Sequence, residues 1–204
     1  LCNIGLLTQF PRKPVLYSFG SLGDYTFEES VFDILGGYVD IHTISNEPQP
    51  RNTPSYVTYH QKTISPNYTL INLHRDLGRE GTPVHLLKLD IEGAEQHIFD
   101  ALFAGDVCNM DIWHLNVEIH FDKKSPMFPD TLPVPLDVQK NNEKKLSELC
   151  GLEKFLQNRN RYDYAIAGHE DVSKMHQNWD MAYVKIDWKT VSKEMRELAM
   201  LEQC

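Results

Sequence analysis

Short apolar runs rich in β-branched residues alternate with helix-like segments along this chain, and no other feature restricts its fold as tightly. Residues 15–19 (VLYSF) read as a strand. Residues 26–35 have helical spacing, with Phe27, Val31, Ile34 and Leu35 on one face, Asp24 as N-cap and Gly36-Gly37 as the stop. Strands are expected at 39–45 (VDIHTIS), 57–64 (VTYHQKTI), 85–91 (HLLKLDI) and 112–120 (IWHLNVEIH). Glu92-Gly93-Ala94-Glu95 opens a helix to about residue 103, and further helices are expected at 142–157 and 190–202. Two strands, 162–167 and 181–188, follow one another across a long polar loop at 168–180. Strands alternating with helices imply βα units and a mostly parallel sheet covered on both faces. The helix-free ending implies a returning antiparallel strand at one edge.

At 204 residues the chain suits one domain. It divides into an N-terminal extension (1–14), a core (15–120), a proline-rich loop (121–141) and a C-terminal part (142–204). The net charge of −9 and the lack of a basic block argue against nucleic acid as a partner, because phosphate neutralisation needs clustered Lys and Arg. No apolar run approaches the ~20 residues of a membrane span. Cys2, Cys108, Cys150 and Cys204 show no C-x-x-C spacing. They read as unrelated thiols or as one or two disulfides of a secretory or extracellular protein. The sequon Asn67-Tyr68-Thr69 leans toward the second reading, with a cytoplasmic location as the alternative.

In open α/β sheets, ligands bind beyond the carboxyl ends of the strands, where the strand order reverses. The residues that follow the expected strands are Ser18, Gly20, Gly23 and Asp24, then Ser45, Asn46 and Glu47, then Asp90 and Glu92, then Glu118 and His120. Acidic and small residues at one rim suit a ligand with hydroxyls and a positive centre better than a polyphosphate. Gly20 and Gly23 permit a tight turn and a close backbone approach to a ligand. Glu95, in a helix's first turn, reads as a capping residue. Asp90 reads as functional, since a carboxylate ending a buried strand is costly without a purpose.

"KLDIEGAE" at 88–95 resembles the signature of FkbM-type methyltransferase domains, which are class I enzymes dependent on S-adenosylmethionine (SAM). "VLYSFGSLGDYTFEE" resembles the first motif of the animal methyltransferase-like branch of that family, and "VDIHTIS", "VTYHQKTIS" and "LNVEIH" resemble its next strands in order. The resemblance runs from about Val15 to His120 and more weakly through 162–184. It implies a Rossmann-like α/β fold with a seven-stranded, mostly parallel sheet whose last strand is antiparallel, and it implies SAM at the rim. Tyr17, Ser18, Gly20 and Gly23 would line the methionine and ribose side. Glu28 would hold the loop or the ligand, and Asp90 would lie near the methionine ammonium or the acceptor. Ser45 stands where such domains commonly carry the acid that accepts the ribose hydroxyls, and Asn46 or Glu47 would substitute for it.

Methyl transfer mainly requires alignment of acceptor, methyl and sulfur. An oxygen acceptor also benefits from a base, for which Asp90, Glu118 and His120 are candidates. Asp90, Glu92, Glu118 and His120 are also the only candidates for a divalent metal, which no close ligand spacing demands. The expected function is therefore SAM-dependent methylation of an oxygen on a small molecule or glycan. A catalytically silent SAM-fold binding or scaffold protein is the alternative. A nicotinamide-dependent oxidoreductase is disfavoured by the missing G-x-G-x-x-G.

Overall fold

A computed structural model of the chain describes residues 4–65, 67–91, 95–120, 135–162 and 176–185. The elements run β1 (Val15–Phe19), α1 (Thr26–Ile34), β2 (Asp40–Ser45), β3 (Val57–Gln61), α2 (Leu70–Asp76), β4 (Val84–Leu89), α3 (Glu95–Leu102), β5 (Ile112–His120), α4 (Leu136–Cys150), β6 (Leu152–Tyr162) and β7 (His176–Lys185). They form an α/β, Rossmann-like fold around one sheet of order β3-β2-β1-β4-β5-β7-β6. Strands β1 to β5 are mutually parallel. Beyond β5 the ladder is antiparallel on both sides of β7.

The order reverses between β1 and β4. The crossover through α1 moves one way along the sheet and those through α2 and α3 move the other way. Right-handed crossovers therefore place α1 on one face and α2 and α3 on the opposite face. β1, inside the sheet and covered on both faces, is buried at all five residues. Leu16, Ile41 and Leu86 pack with Val31 and Leu35 on the α1 face. Tyr17, Phe19, Leu87, Leu115 and Val117 pack with Leu73 of α2, Phe99 of α3 and Leu146 of α4 on the other.

Several sequence expectations are corrected. α1 buries Glu28 and Val31, with Leu35 buried just past its end, whereas Ile34 is 55% exposed, so the helix is rotated to bring an acid inward. α2 lies where no helix was expected; Thr69 Oγ1 accepts from Asn72 N and Asn72 Oδ1 accepts from Thr69 N, a capping box that makes a short helix viable. α4 starts at Leu136, within the expected loop, and stops at Gly151, whose φ of 65° lets the chain turn directly into β6. Residues 152–157 are therefore strand, not helix, and 176–180 are strand, not loop. These two stretches are too polar for their pattern to reveal them, whereas residues 181–185 of β7 are strand as expected. The N-terminal segment is more than an extension, because Ile4 and Leu7 complete the α1-side core. Most of the expected loop at 121–141, the expected strand 162–167 apart from Tyr162, and the expected helix 190–202 lie outside the described residues.

A disulfide joins Cys108 to Cys150, with Cα atoms 5.1 Å apart. It ties the segment before β5 to the end of α4. Cys2 and Cys204 lie outside the described residues.

Candidate functional site

The β1–α1 connection carries the geometry. Gly20 and Gly23 have φ of 85° and 87°, a region that costs glycine little. Gly20 N donates to the Ile44 carbonyl at 3.3 Å, and Asp24 N donates to the Ser21 carbonyl at 2.8 Å. A Cβ on Gly20 would lie 1.6 Å from the Asp90 carbonyl oxygen. Gly20 thus permits a close approach to the backbone after β4. It locks the two loops at the switch point together. Leu22, between the glycines, is left-handed at φ 47° and 53% exposed, an apolar side chain held outward at the rim.

Asp24 is exposed, and its Oδ1 accepts from Thr26 N at 3.0 Å, so it caps α1 from one residue further out than expected. That backbone hydrogen bond, with help from Lys88, holds its carboxyl below the usual range.

Below the turn lies a set of buried oxygens without partners. Ser18 Oγ, Ser21 Oγ, Thr43 Oγ1 and both carboxylate oxygens of Glu28 have no hydrogen bond among the described residues. Ser18, Thr43 and Glu28 are each fully buried. Their placement is dictated by period. Glu28 precedes Val31 by three residues and continues the inward stripe of α1 toward its N-terminus. Ser18 and Thr43 are register partners, each two residues beyond Leu16 and Ile41, which pack against Val31. The row continues across the sheet from Ser18 to Lys88 and from Lys88 to Asn116. Orphaned buried polar groups are rare and costly, and a buried carboxylate most of all. These oxygens fit a ligand bearing N–H and O–H donors and a positive charge.

The structure brings Asp90 to this rim. Its Oδ2 lies 3.2 Å from Lys88 Nζ, so Lys88, not singled out from the sequence, anchors it. Glu95 Oε1 accepts from Ile91 N at 3.0 Å, a capping contact that braces the turn after β4. Glu118 lies on β5, two residues beyond Asn116. The backbone of His120 ends β5; its side chain and Glu92 lie outside the described residues. Among the described residues no group of three or more His, Cys, Asp or Glu could hold a metal ion.

One expectation is redirected. Tyr17 does not reach the rim: its side chain is buried on the α2 face, and its hydroxyl lies 2.8 Å from His74 Nδ1. His74 Nε2 faces the Thr82 carbonyl at 3.1 Å and must donate there, so Nδ1 accepts from Tyr17. Burial raises the Tyr17 pKa to about 12 and lowers that of His74. Ser45 Oγ accepts from Glu47 N at 3.1 Å, which closes a local turn at the end of β2. Backbone contacts fix the following loop, with the Asn46 carbonyl accepting from Gln61 Nε2 and the Glu47 carbonyl accepting from the Tyr59 hydroxyl. Both side chains remain exposed. Sequence reading missed Ser21 and Thr43; in a strand that also carries Asp40, His42 and Ser45, nothing local marks Thr43.

A family model for a methyltransferase domain matches residues 1–164. The chain belongs to that family. Solved structures similar to this methyltransferase domain include a protein assigned as a methyltransferase from Thermoplasma acidophilum (11% identity, 86% of this chain and 69% of that one, TM-score 0.41). Precorrin 8w decarboxylase from Methanobacterium thermoautotrophicum is another (13% identity, 90% and 87% covered, TM-score 0.42). A third is a mutant 16S rRNA (adenine(1408)-N(1))-methyltransferase from Catenulisporales acidiphilia (9% identity, 90% and 92% covered, TM-score 0.42). No curated protein matches the sequence.

Proposed function

We propose that this methyltransferase domain binds SAM at the β1–β4 switch point and methylates an oxygen of a small molecule or glycan. One observation supports the reading most: the orphaned oxygens of Ser18, Ser21, Glu28 and Thr43 beneath the Gly20 turn. A ligand ammonium would satisfy the Glu28 carboxylate, and the three hydroxyls can both donate and accept.

SAM supplies a methyl already activated on a sulfonium. The residues of this chain then have three tasks. The Gly20–Asp90 contact holds the turn in place, Lys88 orients the Asp90 carboxylate, and a base removes the acceptor's hydroxyl proton. Asp90, Glu118 and His120 stay the candidates for that base. Glu47 and Asn46, exposed just beyond Ser45, are the available partners for ribose hydroxyls.

Calorimetric titration with SAM, and in parallel with NAD, tests the reading. Binding of SAM but not NAD, lost in Glu28→Ala, supports it. Absence of SAM binding sinks it. A second reading rests on Ser45, whose hydroxyl is committed to Glu47 N where an acid is commonly found. In that reading the domain binds its ligand without turnover. SAM binding with no methyl transfer to any hydroxyl acceptor in a labelled-methyl assay would favour it.

A further inference from the structure

Asn67-Tyr68-Thr69 is the only N-x-[ST] tripeptide in the sequence. It lies between β3 and α2, beyond the edge strand on the carboxyl-end rim. Ser65 N donates to the Tyr68 carbonyl at 3.0 Å and Tyr68 N to the Ser65 carbonyl at 3.1 Å, which closes a tight turn with Asn67 at its corner. The turn is anchored by its neighbours. The Tyr68 hydroxyl donates to Asp76 Oδ2 at 2.7 Å, and Lys62 Nζ sits 5.1 Å from the centre of the Tyr68 ring. Asn67 itself is exposed and takes no part in these contacts. It is presented to solvent by a turn that does not need its side chain.

An independent observation concerns the compartment. Cys108 and Cys150, 42 residues apart in sequence, form a disulfide. Persistent disulfides belong mainly to oxidising compartments, and the lumen where they form is also where sequons are glycosylated. We propose that Asn67 carries an N-linked glycan, added in the secretory pathway in which the Cys108–Cys150 disulfide closes. A bond forms between the Asn67 side-chain nitrogen and the anomeric carbon of a lipid-pyrophosphate-linked oligosaccharide. The anomeric C–O bond to the lipid pyrophosphate breaks, and the amide proton passes to solvent. Closing the disulfide delivers two electrons and two protons to a lumenal disulfide oxidant.

The fold constrains timing and consequence. In the folded chain the Thr69 hydroxyl is committed to the α2 cap, donating to Asn72 Oδ1 at 2.8 Å. Transfer to the sequon therefore precedes closure of α2. The glycan then sits two strands from β1, about 10 Å sideways at the usual strand spacing, and leaves the switch-point crevice open.

The test uses full-length protein made in eukaryotic cells, compared before and after an amidase that removes N-linked glycans. A mobility shift of one glycan is expected, with the Asn67 peptide recovered as aspartate and Cys108 linked to Cys150 in the unreduced peptide map. Asn67→Gln should abolish the shift completely. Thr69→Ser keeps both sequon and cap and should retain it. Wild-type protein with no shift overturns the proposal, and so does a glycosylated protein whose Cys108 and Cys150 are free thiols. None of these measurements depends on methyl transfer or SAM binding.

Discussion

The two faces of the central sheet differ most where they are nearest the site. On the α2 and α3 face, Phe19, Leu89 and Val117 are register neighbours in a dry core, with Ile44 beside Phe19. One residue earlier on the same strands, the α1 face carries Thr43, Ser18, Lys88 and Asn116. The period of two lets four strands build both surfaces at once. The apolar face is fastened by the Cys108–Cys150 disulfide, whose Cys150 belongs to that core. The polar face, with Glu28 above it, carries buried oxygens that are unpaired among the described residues.

Changes on the two faces should therefore separate stability from binding. The largest effect is expected where the faces share a hinge. Gly20→Val places a side chain into the Asp90 carbonyl at a φ of 85°, and should cost about 4 kcal/mol or more in urea unfolding and abolish SAM binding. A variant that keeps wild-type stability would show that this contact does not close the switch point.

Next comes the apolar face. Reducing the disulfide, which closes a 42-residue separation, should lower stability by about 2–4 kcal/mol while SAM affinity holds. Loss of binding at unchanged stability would reverse the assignment of the two faces.

Acid should act on the sheet's underside. His85 packs against Phe10 and Trp113, its Nδ1 accepts from Val15 N, and burial lowers its pKa from 6.5 to about 4. The unfolded chain binds this proton more readily than the folded one. The stabilisation is thus fully present above pH ~6.5 and lost as pH falls through about 4, a change of about 3 kcal/mol. Unfolding titrations of wild type and His85→Gln check it, since the variant should show a flatter dependence over that window.

Glu28→Gln sharpens the contrast. It should weaken SAM binding about 10- to 100-fold, as expected when a charged hydrogen bond is lost, and leave the ligand-free protein as stable or more so. A large loss of stability without ligand would make Glu28 a structural acid. The smallest effect is expected for Ser18→Ala, within about 0.5 kcal/mol in unfolding, because the hydroxyl has no hydrogen-bond partner among the described residues. Calorimetry should still detect a weaker complex.

Much of the fold was legible because it is periodic. The largely apolar run of β1 and the alternation in β2 announced strands, and Gly36-Gly37 announced the end of α1. β6 was misplaced and the first half of β7 missed, because neighbouring strands hold polar sequences through ladder bonds that leave no local pattern, whereas residues 181–185 are strand as expected. The site was legible in kind but not in arrangement. Ser18, Glu28 and Asp90 were marked as candidates, yet nothing local shows that Tyr17 faces His74, that Ser45 bonds to Glu47 N, or that Lys88 holds Asp90.

The sequence by itself determined the alternation of strands and helices from β1 to β2 and from β4 to β5, and the glycines of the first turn, since these follow from residue type and spacing. Tertiary structure alone decided that Gly20 serves the Asp90 carbonyl, that Cys108 meets Cys150, and that Glu28 lies buried in the neighbourhood of Ser18 and Thr43. Such partners lie tens of residues apart or on facing layers. Only the reversal of strand order between β1 and β4 and the rotation of α1 bring them within reach.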